Sequence, residues 1–381
     1  FNDSVAKYFS LAVFIIAFAS AGYWGFAGNT HKAWSAFTAV IIVACPCVLA
    51  LSTPFTLSAI LSVFDKKGFY IKNTDAVEEL AKCDTLIFDK TGTLTSSDSA
   101  KTTFKGSLSS AEKVLVSSLM RNSTHPMSRH ILSELNADRF YTVADYVEIP
   151  GKGLRGTVNG LSIYAGNLSL LPSHLRRVEG NGVHIVIDNK YLGSFSVDQQ
   201  WRPGLKELIN KLDNKFKLQV LSGDTDKDEK TLRAIFPAAA TIAFKQSPHQ
   251  KLSVVLAHQQ QKLHVMMLGD GLNDAGALKQ SNLGVAITDN INNFTPGCDA
   301  IMKGSALNLL PAFIHLSRDG LTIIKISFAI AIAYNLIGIY FAVQGTLYPL
   351  VAAVLMPLST ITIICFTTLA TGFFAHKRKL K

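Results

Sequence analysis

Three stretches of the chain carry no Asp, Glu, Lys or Arg: residues 8–30, 33–64 and 326–375. A helix needs about 20 apolar residues to cross the hydrocarbon core of a bilayer. The first two runs therefore predict one transmembrane helix each. The third is long enough for two, with the segment 344–349 (Gln-Gly-Thr-Leu-Tyr-Pro) as the turn between them. One such run alone is also compatible with a buried core helix, but four together argue for two membrane hairpins. Between the hairpins the pattern changes. Short apolar runs end in Asp or Gly: Thr85-Leu86-Ile87-Phe88 before Asp89, Leu218-Gln219-Val220-Leu221 before Ser222-Gly223-Asp224, and Val265-Met266-Met267-Leu268 before Gly269-Asp270-Gly271. Amphipathic stretches separate them. Buried parallel strands alternating with helices read this way. Ligands in such sheets gather at the carboxyl ends of the strands, so Asp89, Asp224, Asp270 and Asp274 are expected in one crevice. The alternative for each Asp is a plain helix N-cap.

Composition agrees with a membrane protein. Of 381 residues 48% are hydrophobic and only 17% charged, against roughly 25% in an ordinary soluble domain. The formal charge of +10 is not gathered in one aromatic-interleaved patch, so a nucleic-acid partner is not expected. The basic residues flank the apolar runs: Lys66, Lys67 and Lys72 after the second, Lys325 before the third, and His376-Lys377-Arg378-Lys379-Leu380-Lys381 at the end. In a four-helix count all three flanks lie on one side, which the positive-inside rule makes cytoplasmic. The large middle region and the C-terminus are then cytoplasmic. Five cysteines, odd in number and sparsely spaced, do not form a secreted disulfide framework. No cleavable signal peptide is evident.

Asp89-Lys90-Thr91-Gly92-Thr93-Leu94-Thr95 is the most specific string. It suggests covalent phosphoryl transfer, with an ionised carboxylate attacking a γ-phosphorus. The following Gly and Thr residues offer N–H groups and hydroxyls to phosphate oxygens. Mg²⁺ is required to neutralise the converging negative charge, and Asp270 and Asp274 supply hard oxygen ligands for it. Lys251, in Pro248-His249-Gln250-Lys251, offers a point charge to the phosphoryl group.

These strings, with Gly269-Asp270-Gly271-Leu272-Asn273-Asp274, resemble the P-type ATPases, a branch of the haloacid dehalogenase superfamily. The resemblance implies that Asp89 is phosphorylated from ATP, that Asp89, Asp270 and Asp274 hold Mg²⁺, and that Lys90, Thr91, Ser222, Gly223, Asp224, Lys251 and Asn273 serve the phosphoryl group. Ser222 stands where the family's Thr-Gly-Asp has Thr. The hinge motif Asp-x-x-Arg-Pro occurs one residue longer, as Asp198 to Pro203. Ser123-Thr124-His125-Pro126 is similar to the Ser-x-His-Pro of heavy-metal P-type ATPases. By that likeness His125 and Pro126 meet the adenine, and Gly151, Gly153 and Gly166 let the nucleotide approach the backbone. The usual Glu five residues before the His is here Met120. The expected fold is membrane α-helical plus α/β. It has a hairpin over 1–64, a Rossmann-like phosphorylation domain over 65–96 and 198–320, and an α+β nucleotide-binding domain over 97–197. A second hairpin over 321–375 and a basic tail over 376–381 complete it.

Cys45-Pro46-Cys47 lies inside the second uncharged run. Pro opens a helix, and two thiols beside the break can share one cavity. Thiolates select soft ions, Cu⁺ above all. The alternative is two small apolar cysteines packed in a helix. Tyr334-Asn335 and Met356-x-x-Ser359-Thr360 resemble the Tyr-Asn and Met-x-x-Ser-Ser of the copper-transporting subgroup, with Thr360 replacing Ser. Zn²⁺-type pumps instead carry Lys and Asp in these helices, and 326–375 has neither. The reading is ATP-driven export of Cu⁺ (or Ag⁺), with Cys45, Cys47, Tyr334, Asn335, Met356 and Ser359 as ligands. It implies an integral protein of a bacterial inner or plasma membrane, and a metal chaperone as partner. No Thr-Gly-Glu of the family's actuator domain occurs. The chain is thus expected to be the C-terminal portion of a longer pump, with Phe1–Tyr8 as the exit from the missing half. Alternatives are a Zn²⁺/Cd²⁺-type pump and a non-transporting, membrane-tethered phosphatase-like or regulatory protein.

Overall fold

The structure, a computed structural model, describes residues 2–380 except 45–46, 124, 150, 173–174, 176–181, 272–273 and 290–296. For residues 2–10, 47–50, 97–101, 126 and 197–199 it describes the backbone alone. Three helices open the chain: α1 (Asn2–Phe26), α2 (Thr30–Val43) and α3 (Cys47–Lys66). Strand β1 (Phe69–Ile71), helix α4 (Thr74–Lys82) and strand β2 (Thr85–Asp89) follow. A second group comprises β3 (Thr95–Gly106), α5 (Ser110–Met120), α6 (Pro126–Leu135), β4 (Val143–Ile149), β5 (Gly153–Val158), β6 (Leu161–Gly166), β7 (Val183–Ile187) and β8 (Lys190–Trp201). Then come α7 (Leu205–Leu212), β9 (Lys217–Leu221), α8 (Glu229–Ile235), β10 (Thr241–Ala243), α9 (Pro248–Gln260), β11 (Val265–Gly269), α10 (Ala275–Gln280), β12 (Leu283–Thr288) and β13 (Ala300–Lys303). Helices α11 (Leu310–Val343) and α12 (Pro349–Lys377) end the chain.

The chain divides into two compact units, Phe1–Leu94 with Pro203–Lys381, and Thr95–Arg202. The inserted unit is thus slightly longer at both ends than the expected 97–197. In the first unit seven strands form one sheet in the order β1-β13-β12-β11-β2-β9-β10. All pairs are parallel except β1 with β13. The apolar runs read from the sequence are its central strands, and β2 and β11 are buried along their whole length. Strand order reverses at β2: β9 and β10 lie to one side, β11 and β12 to the other. That is the switch point at which open α/β sheets form a crevice. Asp89 ends β2 and is paired in register with Leu221, so the loops after β2, β9 and β11 meet there.

The apolar helices belong to the same unit. Two segments among the described residues are long and apolar enough to cross a membrane, Gly304–Val343 and Pro349–Lys377. The uncharged run 33–64, expected as one helix, instead divides into α2 and α3 on either side of Cys45-Pro46. Proline cannot donate the backbone hydrogen bond that would continue α2. Helix α11 packs against α2, α3 and α12. Its approach is close: a Cβ on Gly338 would lie 2.2 Å from Val43 Cγ1, and one on Gly320 2.3 Å from Ile60 Cδ1. Small residues at such crossings let helix backbones touch. The N-terminal turns of α11 also pack on α4. There the Arg318 guanidinium donates to the carbonyls of Ala81 and Cys83, both at 2.9 Å, just before β2. Arg378, past the end of α12, forms a two-point ion pair with Asp319 at 2.8 and 3.0 Å.

The second unit is a six-stranded antiparallel sheet, β3-β8-β7-β6-β5-β4, with α5 and α6 packed on it. Leu119, Ile131, Val158, Ile163 and Phe195 are fully buried in its core. Ser109 and Glu112 form a capping box that starts α5, and the left-handed Asn136 ends α6.

Candidate phosphorylation and nucleotide sites

Asp89, Lys251 and Asp274 are 4%, 4% and 1% exposed. Lys251 projects from the first turn of α9, whose start is set by a capping box of Ser247 and Gln250. Its ammonium donates to Asp89 Oδ1 at 2.6 Å and to Asp274 Oδ1 at 2.7 Å. Asp274 stands at the N-cap position of α10 but makes no side-chain cap hydrogen bond. Its carboxylate serves the crevice, which decides against the simple N-cap reading. One oxygen from each of Asp89, Asp270 and Asp274 lies within 4.8 Å of the other two. Gly92 makes room for this cluster. It takes a left-handed φ of +70°, and a Cβ there would lie 2.9 Å from Asp270 Cβ.

The electrostatics are unbalanced as they stand. Three carboxylates face one ammonium. Burial and the Asp274 charge push the Asp89 carboxyl up to about 7, against the opposing pull of Lys251. Asp274 Oδ2 is buried with no hydrogen-bond partner among the described residues. An orphaned buried carboxylate oxygen and excess negative charge on hard oxygen ligands are what a divalent cation would satisfy. The residues present therefore fit Mg²⁺.

Lys90 points elsewhere. It is 5% exposed, and its ammonium lies 2.7 Å from both Asp224 Oδ2 and Asp228 Oδ2. Burial alone would lower its pKa, but these bonds outweigh burial and raise it. Burial would likewise raise the Asp224 carboxyl, yet hydrogen bonds from Lys90 and from Thr91 Oγ1, the latter at 2.9 Å, hold it below the usual range. The buried Ser222 Oγ accepts the Asp224 N–H at 3.1 Å and so shapes the Ser222-Gly223-Asp224 turn. Asp228 has no motif around it to mark it and was not expected from the sequence. Asn273 lies outside the described residues.

In the second unit, His125, Gly151, Gly153 and Gly166 all border one cavity of about 370 Å³, with Lys152, Asn167 and Glu148. Met120, the residue at the usual Glu position, is 1% exposed and joins Ile131 and Leu154 as apolar lining. His125 is the N-cap of α6, and its Nδ1 accepts the Met127 N–H at 3.2 Å. For Pro126 only the backbone is described, as the first residue of α6. The glycines divide in role. Gly153 and Gly166 face each other across β5 and β6. A Cβ on Gly153 would lie 2.4 Å from the Ala165 carbonyl oxygen, and one on Gly166 2.2 Å from that of Lys152. These two keep the strands together. Gly151, with nothing within 4 Å of its virtual Cβ, leaves the rim of the cavity open.

Between the long apolar helices a smaller cavity of about 60 Å³ is bordered by Tyr334, Asn335 and Ser359, so α11 and α12 bring these three together. Tyr334 donates to the Leu355 carbonyl at 2.9 Å, and Ser359 to that of Met356 at 2.7 Å. The half-buried Met356 does not border this cavity. Cys45 lies outside the described residues, and for Cys47 and Asp198 only the backbone is described.

The model of the haloacid dehalogenase-like hydrolases matches residues 83–282. The chain belongs to this family. Likeness to P-type ATPases extends along almost all of it. A copper-exporting P-type ATPase of Staphylococcus haemolyticus is 28% identical over 95% of this chain and 48% of that protein. The nitrogen fixation protein FixI of Rhizobium leguminosarum bv. viciae is 30% identical over 97% of this chain and 49% of its own length. The chain spans about half the length of these relatives. The crystal structure of a zinc-transporting PIB-type ATPase superposes with a TM-score of 0.67 at 22% identity, covering 97% of this chain and 64% of that one. At that identity the likeness is one of fold.

Proposed function

We propose that this chain is the phosphorylated, nucleotide-binding and C-terminal membrane portion of an ATP-driven heavy-metal pump, with Cu⁺ (or Ag⁺) as its cargo. The observation that carries the reading is the Asp89–Lys251–Asp274 triad beside Asp270, buried where the strand order of the sheet reverses. The Asp89 carboxylate attacks the γ-phosphorus of ATP. An Asp89 oxygen–phosphorus bond forms, the bond from phosphorus to the bridging oxygen of the β-phosphate breaks, and ADP leaves with that electron pair. Lys251 holds the Asp89 carboxylate in place and offsets charge on the transferring group. Lys90 locks Asp224 and Asp228 beside the entering phosphate and leaves Asp89 free of a second cation. Held by Asp89, Asp270 and Asp274, Mg²⁺ would supply the remaining positive charge. The cavity beside His125 takes the base of ATP.

For the cargo, the names of the relatives support copper and the fold neighbour is a zinc pump. The residues favour the softer ion. Residues 326–375 offer no carboxylate or ammonium, whereas Asn335 and Ser359 are 7% and 8% exposed. Two thiols, a thioether and neutral oxygen donors, with no hard carboxylate among them, suit a soft monovalent ion better than Zn²⁺. Cys45 and Cys47 with Asn335, Tyr334, Met356 and Ser359 are the proposed Cu⁺ ligands. α1, the α2–α3 pair, α11 and α12 are the four crossings, and the two globular units and the C-terminus face the cytoplasm. A metal chaperone is the expected donor. The test is phosphoenzyme formation from γ-labelled ATP in membranes, with Cu⁺ under reducing conditions against Zn²⁺. Hydroxylamine-sensitive label that requires Cu⁺ and vanishes in Asp89→Asn is the expected result. Label driven by Zn²⁺ overturns the cargo, and no label from folded protein overturns the pump.

A further inference from the structure

We propose that Glu148 reads the base of the bound nucleotide and selects one that presents an amino group, as adenine does, over one that presents a carbonyl, as guanine does. The inference rests on the nucleotide reading of the 370 Å³ cavity and adds the residue that sets its specificity. The deep lining is apolar and suits a flat ring: Met120, Ile131, Leu154 and Ala165 are each at most 4% exposed. The polar groups stand around it. Among the described lining residues Glu148 is the only carboxylate.

Its position is built, not incidental. Glu148 Oε1 accepts from Ser123 Oγ at 3.0 Å, and that same hydroxyl accepts the His125 N–H at 3.1 Å. One buried serine therefore ties the carboxylate to the backbone of the His125 turn, and both Glu148 and His125 border the cavity. Glu148 Oε2 accepts from the Tyr146 hydroxyl at 3.0 Å. Each oxygen keeps a second lone pair, and the carboxylate is exposed. Because His125 Nδ1 accepts from Met127 N–H, the neutral ring carries its proton on Nε2. The cavity wall thus offers an acceptor, Glu148, and a donor, His125, on residues tied to one serine. Adenine presents the complement, an N6 amino donor beside a ring-nitrogen acceptor. Guanine presents O6, an acceptor, where adenine has its amine. Against O6 the carboxylate has no hydrogen to give and repels. Met120 cannot discriminate, since a thioether donates nothing and accepts only weakly.

The experiment is calorimetric titration of the full chain in detergent micelles with ATP and with GTP, for the wild type, Glu148→Gln and Ser123→Ala. Glutamine is nearly isosteric at this exposed position, and its amide can donate to O6. Loss of one charge-assisted hydrogen bond gives an ATP-over-GTP preference of about 10- to 100-fold in the wild type. In Glu148→Gln this ratio is expected to collapse to within about threefold of unity, with GTP binding improved. Ser123→Ala removes the hydrogen bond that holds the carboxylate, so the ratio should fall part of the way toward that of Glu148→Gln, and a ratio kept at the full wild-type value overturns the positioning role of Ser123. A ratio unchanged in Glu148→Gln, or equal affinities in the wild type, overturns the inference while the nucleotide reading stands. No binding of either nucleotide to folded wild type overturns both.

Discussion

Asp274→Asn separates two demands on the phosphorylation site, stability without metal and affinity for metal. With no cation bound, the rise of the Asp89 carboxyl from 3.8 to about 7 corresponds to roughly 4 kcal/mol against its ionised form at neutral pH. Burial is the largest cause and the Asp274 charge the next. Asparagine removes the second. Its Oδ1 still accepts from Lys251, and its uncharged amide nitrogen takes the place of the orphaned Oδ2. Of the roughly 4 kcal/mol, about 1–2 should be recovered. In a domain of 150–250 residues that raises the first melting transition by about 2–8 °C. The wild type should gain about 2.7 kcal/mol at a Mg²⁺ concentration one hundred times its Kd, and the variant almost nothing. Scanning fluorimetry of the detergent-solubilised chain in chelator and in Mg²⁺ reads both effects. A variant that melts below wild type in chelator, or gains as much from Mg²⁺, refutes the charge argument.

The same reasoning fixes a pH dependence. Asp89 has a folded pKa raised above its unfolded value. Its contribution to stability is fully present below about pH 4 and is lost as pH rises through about 7. In chelator, wild type compared with Asp89→Asn should therefore lose relative stability across that window. Mg²⁺ should flatten the difference, because a cation favours the ionised carboxylate.

Gly153→Ala should destabilise the 95–202 unit by more than about 3 kcal/mol, because its Cβ meets the Ala165 carbonyl at 2.4 Å with φ at +137°. Gly151→Ala meets no neighbour and should cost only the roughly 1–2 kcal/mol of its left-handed φ of +71°, and limited proteolysis reads both. Arg318→Met leaves the carbonyls of Ala81 and Cys83 without their donor and should cost about 2–4 kcal/mol by thermal or denaturant unfolding; Arg318→Lys should restore part of it. His258 is buried with Nε2 against Gln219 Oε1 at 2.8 Å, and burial lowers its pKa below 6.5. Its share of stability is present above pH 6.5 and lost as pH falls through the lowered value. His258→Gln should therefore narrow the drop in melting temperature between pH 7 and pH 5.

The α/β core was legible because its signals are local. A strand buried on both faces must be apolar throughout, and its Asp must sit where the strand ends, so Asp89 and Asp270 announced themselves. Lys251 was legible only through the string Pro248-His249-Gln250-Lys251 and its likeness to the P-type ATPases, and the capping box of Ser247 and Gln250 that brings it to the crevice emerges from the structure. Asp228 and Glu148 were not. Asp228 belongs to an exposed charged stretch around α8, and only the fold brings it to Lys90. Glu148 sits on β4, whose residues are mostly exposed, so no periodicity distinguishes it. The glycines were legible as necessary but not as to cause. Only the register of β5 against β6 reveals that Gly153 and Gly166 exclude each other's Cβ.

The membrane half explains itself less through composition than through continuity. An uncharged run states that a segment is apolar but not where its helix stops. Residues 33–64 contain two prolines, and Pro54 lies inside α3 without ending it, so proline alone does not locate the helix ends in this run. The extent of α11 is the consequential feature. At 34 residues and 1.5 Å per residue, α11 spans about 51 Å, more than the roughly 30 Å hydrocarbon core. Its excess reaches α4 and the entry to β2, where Arg318 grips two carbonyls. Four residues separate Cys83 from the end of the hydrogen-bonded run Thr85–Phe88, and the next residue is Asp89. The other end of α11 borders the cavity of Asn335 and Tyr334. One unbroken helix, without an internal proline after its first turn, therefore joins the candidate ion site to the strand that carries the nucleophile. Because Arg318 is bonded to the two carbonyls ahead of β2, Arg318→Met should weaken the dependence of phosphorylation on the metal as well as the fold. Phosphoenzyme levels in that variant that keep the full metal dependence of wild type would refute this coupling.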